Sequence, residues 1–218
     1  IPDMSIAVTS GSYLAQFNGQ FKITQASSYT LEAKTELTAL YNTLTALTAT
    51  VTNHAATFGN GETLSAGVYT VAGAVDIAGT LTLSGDADDL FVFRCGAAFT
   101  TAASSNVVLT GGAVASNVWF VTQGAPSTGA NSTMRGNMVA NQAAPSLGAG
   151  TTMEGRMFAI NGAPSLDASF MTTPAGTSTI TLGSVIADFS IFAGIGAVSN
   201  TGASTTSLSV GTNAGTVT

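Results

Sequence analysis

The chain has 218 residues, of which 45% are hydrophobic and only 7% charged, and it carries a net charge of −6 at neutral pH. That length suffices for one domain over residues 1–218 with a sizeable core. The apolar content excludes a disordered chain, and no apolar run reaches the ~20 residues of a membrane-spanning helix. The five basic residues (Lys22, Lys34, Arg94, Arg135 and Arg156) are scattered on an acidic chain, which excludes nucleic acid as a partner.

Residues 1–29 alternate loosely around Tyr13, Leu14, Phe17, Phe21 and Ile23 and read as short strands and a cap. Residues 30–53 form the one clear helix. Leu37, Leu40, Tyr41, Leu44, Leu47 and Val51 recur at steps of three and four and make one apolar stripe. Thr30 is the expected N-cap, and Glu32 in the first turn suits the helix dipole. Threonine fills the other face, so the helix needs a larger body to dock on.

From Gly61 onward the pattern changes to short strands broken by Gly, Ser and Thr. Residues 67–71, 81–83, 90–93, 107–109, 118–121, 134–139, 153–160 and 188–192 read as strands. Cys95 lies in an apolar run and reads as a buried, inert thiol. Asp86, Asp88 and Asp89 follow Ser84-Gly85 and read as a turn with Asx-type bonding. Arg135 and Arg156 are expected to stack near Glu154 as a surface pair. His54, the one histidine, reads as a capping or solvated residue. With no nucleophile elbow and no suitably paired carboxylates, the chain reads as a non-enzyme with no cofactor and no metal site.

Within the strand region one triplet repeats. Ala125-Pro126-Ser127, Ala144-Pro145-Ser146 and Ala163-Pro164-Ser165 stand nineteen residues apart. A fixed period near twenty marks a stacked solenoid. The step extends backward to Ala98-Phe99-Thr100 and Ala74-Val75-Asp76, and forward to Ala197-Val198-Ser199. Strand geometry puts residues i and i+2 on one face. Alanine and serine therefore point outward, and Leu147 and Leu166 point inward. The result is a grid of methyls and hydroxyls with few charges, suited to a repeating solid or polymeric surface. Three stacked prolines interrupt any ladder. They are expected either where the ladder bends at a corner or where the coil stacking order departs from chain order.

Several segments carry a family resemblance. They are Gly61-Glu62-Thr63-Leu64-Ser65-Ala66-Gly67-Val68-Tyr69, Leu81-Thr82-Leu83-Ser84-Gly85, Asp89-Leu90-Phe91-Val92-Phe93, Val108-Leu109-Thr110-Gly111-Gly112-Ala113, Asn117-Val118-Trp119-Phe120 and Glu154-Gly155-Arg156-Met157. In this order, over roughly residues 30–173, they resemble the DUF3494-type microbial ice-binding proteins. The resemblance implies an all-β fold with one long helix. More specifically, it implies a right-handed, discontinuous β-helix of triangular section with the helix packed alongside. It also implies adsorption to ice, no cofactor, and a place outside the cell or on its surface. The family's Thr-Ala/Gly-any-Thr/Asn pattern fits Thr128-Gly129-Ala130-Asn131. It fits Thr101-Ala102-Ala103-Ser104 and Thr201-Gly202-Ala203-Ser204 loosely, and Leu147 and Leu166 break it. The family usually opens with a segment like 188–215, which here closes the chain. This implies a permuted domain or one cut in a different phase from a tandem array, with the last coil packed beside the N-terminal part.

The expected function is ice binding by a monomer or by one module of a longer chain, giving thermal hysteresis and inhibiting ice recrystallisation. The expected contact residues are Thr100, Thr101, Ser104, Ala125, Ser127, Thr128, Asn131, Ala144, Ser146, Ala163, Ser165 and Ser199. The alternatives are a structural or adhesive module of a cell-surface protein and a polysaccharide-binding solenoid. The latter would need exposed aromatics, for which Trp119 is the first candidate.

Overall fold

A computed structural model describes residues 27–215. The strands expected before residue 27 lie outside the described residues. From Thr57 on, the chain winds through seven coils that build three parallel sheets of seven, six and seven strands, the seventh coil giving the second sheet only an isolated bridge from Thr205 to Phe170. The first coil sets the pattern, with Thr57–Gly59 in the first sheet, Glu62–Ser65 in the second and Gly67–Val71 in the third. Coils stack in chain order throughout. The interrupted order implied by the resemblance is not found among the described residues.

The sequence explains which sheet is which. In the second sheet Thr80–Ser84 alternates between half-buried and buried side chains, because one face meets the core and the other meets water. In the third sheet Val118–Thr122 is buried at every position. That sheet is covered on both sides, which is why Val118-Trp119-Phe120-Val121 carries no polar alternation. Its inner face holds a ladder in which the Tyr69, Phe93 and Phe120 rings stack 5.2 Å apart at each step. Met138, Met157, Ile191 and Val210 continue that column. Cys95 sits in the same interior, where burial pushes its thiol up to about 12.

Its outer face receives the helix α1, Ser28–Ala46. Ala33, Leu37, Leu40, Tyr41 and Leu44 pack with Val92, Trp119, Val139, Phe158 and Phe192. Ser27, not Thr30, is the N-cap. Thr30 instead closes a capping box by accepting from the Ser27 N–H at 3.0 Å, while its own N–H donates to Ser27 Oγ at 3.3 Å. The helix also stops seven residues before the predicted end. Arg94 explains the stop, because its guanidinium donates to the carbonyls of Thr45 and Leu47 at 2.6 and 2.8 Å. Val51 leaves the helical stripe and bridges to Tyr69, covering the edge of the third sheet.

Two predicted strands each split into two. Residues 133–140 turn a corner at Gly136 (φ +123°), and residues 152–159 turn at Gly155, where a Cβ would come within 1.8 Å of the Gly136 carbonyl oxygen. The coils touch backbone to backbone there, so only glycine fits.

Candidate functional site

Helix α1 occupies the third sheet, which leaves the outer faces of the first two as candidate surfaces. In the first sheet the register is continuous from end to end. Thr57, Asp76, Thr100, Ser127, Ser146, Ser165 and Ser199 stand opposite one another in successive coils. All seven are at least partly exposed. Two residues earlier, on the same face, every coil carries alanine: Ala55, Ala74, Ala98, Ala125, Ala144, Ala163 and Ala197. With a coil spacing of ~4.8 Å, seven coils extend the grid over ~29 Å.

Pro126, Pro145 and Pro164 alternate with these columns, and their rings are buried. The prolines therefore sit neither at a corner nor at a change in coil order. Pro126 opens its strand and Pro145 and Pro164 stand immediately before theirs, where one ladder donor is lost and the Pro126 ring joins the core beside Phe99 and Val75. Leu147 and Leu166 point inward as expected, each 2% exposed.

Charge on the first sheet is sparse. Its only ionisable outward residues are Asp76 and Asp167. Asp76 accepts from Thr57 Oγ1 at 2.8 Å. A third outward position holds Gly129 and Gly148, whose added Cβ atoms would come within 2.5 Å of the backbone of the preceding coil.

The corner between the first and second sheets is polar on its inside. Thr101 and Thr128, both expected on the contact surface, are instead buried. Thr101 pairs with Ser132 at 3.2 Å and Thr128 with Thr151 at 3.0 Å. The Thr101 and Thr128 hydroxyls also accept from the N–H of Gly129 and Gly148, each at 3.0 Å. These two threonines brace the corner from within. Ser104 and Asn131 are exposed at the corner turns with φ of +59° and +56°, beyond the strands of the first sheet. The structure thus brings together Thr100, Ala125, Ser127, Ala144, Ser146, Ala163, Ser165 and Ser199 and sets apart Thr101, Ser104, Thr128 and Asn131. Ala55 and Thr57 are additions to the expected set. Their signal was the same Ala-x-Thr step, hidden because it begins only two residues after the predicted end of the helix.

The second sheet presents a different surface. Thr80, Asn106, Thr133, Thr152 and Phe170 form one outward column. Thr63, Thr82, Val108, Arg135, Glu154 and Thr172 line another. Arg135 and Glu154 form an ion pair at 3.3 Å, and Phe170 is 51% exposed. Arg156 does not join that pair, because it lies past the Gly155 corner and its guanidinium donates to the Ala187 carbonyl at 3.4 Å. Asp89 accepts from the Asp86 N–H at 2.8 Å, which makes the acidic stretch beside this sheet the expected turn. His54 lies at the first-coil end, stacked on Phe58 at 3.9 Å and bonded to Glu62 at 2.8 Å.

No group of three or more potential metal-ligating side chains occurs among the described residues, and no helix there is long and apolar enough to cross a membrane. Trp119, the aromatic that a sugar-binding groove would need at the surface, is fully buried.

The surface left open is therefore a coil-by-coil repeat of small groups, and the family model described as ice-binding-like matches residues 3–172. The chain belongs to the ice-binding-like family. Its relatives include an ice-binding protein of Nostoc sp. strain HG1, 39% identical over 82 residues, which is 37% of this chain and 30% of the relative. Another, from Flavobacterium frigoris strain PS1, is 29% identical over 119 residues, 55% of this chain and 43% of the relative. The matched stretches thus span less than half of either relative. Solved ice-binding proteins share the fold. One from an Antarctic Flavobacteriaceae bacterium has a TM-score of 0.64 and 30% identity, over 84% of this chain and 48% of that one. One from the ascomycete Antarctomyces psychrotrophicus has a TM-score of 0.62 and 33% identity, over 67% and 71%. This is a family of ice-binding proteins, not of enzymes.

Proposed function

We propose that this chain binds ice outside the cell through the outer face of the first sheet, slowing crystal growth and recrystallisation. The observation that carries the reading is the Ala column that runs through all seven coils, with Ser or Thr beside it in six of them and Asp76 in the second. Its Ala methyls and Ser/Thr hydroxyls form a flat surface with no basic residue. Water at the methyls cannot hydrogen-bond to them and so bonds to neighbouring waters, while each hydroxyl holds a water in place. A regular array of both orders a layer of water that can merge with a crystal. Strongly hydrated charged side chains would break such a layer; the first sheet carries two, Asp76 and Asp167, and Asp76 is tied to the Thr57 hydroxyl.

The Flavobacteriaceae and Antarctomyces structures support the reading, since both are of proteins described as binding ice. As one module of a longer chain, the same face would anchor the whole protein to ice. The test is the growth of a single ice crystal in dilute purified protein. Facets and a gap between melting and freezing points are the expected result, and unimpeded growth would overturn the proposal.

The outward column of Thr80, Asn106, Thr133 and Thr152 favours a second reading, in which the second sheet makes the contact. Each threonine offers a methyl and a hydroxyl on a stiff side chain. The Arg135–Glu154 pair and exposed Phe170 count against this face.

A further inference from the structure

The prolines of the grid change what its backbone offers to water. In the second and third coils, which have no proline at this position, a backbone N–H donates across to the alanine carbonyl of the next coil. Val75 donates to Ala98 at 2.9 Å, and Phe99 to Ala125 at 3.2 Å. Pro126, Pro145 and Pro164 have no N–H. The equivalent rungs to the carbonyls of Ala144, Ala163 and Ala197 therefore cannot form. The rungs on the other side of the prolines persist, since Ser165 donates to the Pro145 carbonyl at 3.0 Å and Ser199 to that of Pro164 at 2.9 Å. The ladder is opened on one side only, at the level of the alanine column.

Main-chain carbonyls almost always find a partner, and one denied a protein donor turns to water. The alanines that carry these three lie at the surface, Ala144 and Ala163 exposed and Ala197 partly exposed. We propose that the carbonyls of Ala144, Ala163 and Ala197 are water-anchoring groups of the ice-contacting face, freed for that role by Pro126, Pro145 and Pro164. This rests on the ice-binding reading above and deepens it. The face then holds water by two parallel rows: the serine hydroxyls, and beside them carbonyls that repeat with the coils.

Packing alone does not call for proline here. The fold takes Val75, Phe99 and Val198 at the same inward position, all buried. What proline adds at this position is a lost rung.

The experiment compares the unsubstituted chain with the triple variant Pro126→Val, Pro145→Val and Pro164→Val. Valine is the residue that two other coils already use, so the fold accommodates it. Hydrogen exchange should show the new amides at 126, 145 and 164 protected, confirming that the rungs have closed. Thermal hysteresis at equal concentration should then fall clearly below that of the unsubstituted chain. The reciprocal variant Val75→Pro opens a rung to Ala98, and its thermal hysteresis should hold or rise while it remains folded by circular dichroism. Undiminished activity in the triple variant with protected amides, or lost activity in a folded Val75→Pro, overturns the carbonyl proposal and leaves ice binding standing. No activity in the unsubstituted chain overturns both.

Discussion

Ser146→Tyr tests the first sheet as the contact surface. Ser146 lies in the fifth coil, between Ser127 and Ser165 in the ladder, and its side chain faces out while Pro145 and Leu147 face in. A tyrosine there adds a ring above a plane of methyls and hydroxyls without entering the core. Partly exposed positions of this kind change stability by about 0.5 kcal/mol or less. For a chain of this size, that corresponds to roughly 1–2 °C in Tm. The effect on ice contact is far larger. The ring stands ~10 Å from one end of a grid ~29 Å long, as two and six coil steps of ~4.8 Å require. A rigid body propped there cannot bring the coils on both sides of the ring down on a plane together. Thermal hysteresis measured on single crystals should therefore collapse, while the melting curve followed by circular dichroism barely moves. Thr133→Tyr, on the second sheet, is the matched control and should keep its activity. Full activity in Ser146→Tyr with loss in Thr133→Tyr would refute the assignment and move the site to the second sheet.

Thr151→Val removes the hydroxyl that pairs with Thr128 at 3.0 Å inside the corner. It should cost about 1–3 kcal/mol in urea denaturation, whereas Thr151→Ser should recover much of that loss. Arg94→Met unties the carbonyls of Thr45 and Leu47 and the Thr70 hydroxyl. Stability should fall by about 1.5–3 kcal/mol, and hydrogen exchange should rise first in the last turn of α1. Cys95 makes stability depend on alkaline pH. Its folded thiol is pushed up to about 12 from the ordinary value of 9.0, so the folded chain holds this proton where the unfolded chain has released it. Stability should fall by about 1.4 kcal/mol per pH unit between those limits. Burial also pushes the hydroxyls of Tyr29, Tyr41 and Tyr69 up, so denaturant titrations of Cys95→Ala should show the alkaline slope reduced, and an unchanged slope would place its origin in the tyrosines.

Much of this fold could be read from residue order because a solenoid writes its three-dimensional repeat into one dimension. The nineteen-residue step of Ala-Pro-Ser matches three of the six coil steps, the others being longer, and the period of two put alanine and serine outside and Leu147 and Leu166 inside. The helix end was misread because Leu47 and Val51 continue the helical spacing. What ends it is Arg94, 47 residues from Leu47 in sequence, taking its last carbonyls. Thr101 and Thr128 were misplaced for a similar reason. A motif read along one strand cannot show that Ser132 and Thr151, in the following turns and coils, bond their hydroxyls from inside.

By itself, the sequence determined that Ala and Ser of the repeated step face water while Leu147 and Leu166 face the core, because alternation is a local property of each strand. Only the tertiary structure decided which of the three faces stays open. The stripe of α1 covers one sheet, and register through six successive coil steps aligns Ala55 and Thr57 with Ala197 and Ser199. Stacking also decided what the prolines do. Whether a missing N–H matters depends on the carbonyl opposite it, and that carbonyl belongs to the next coil.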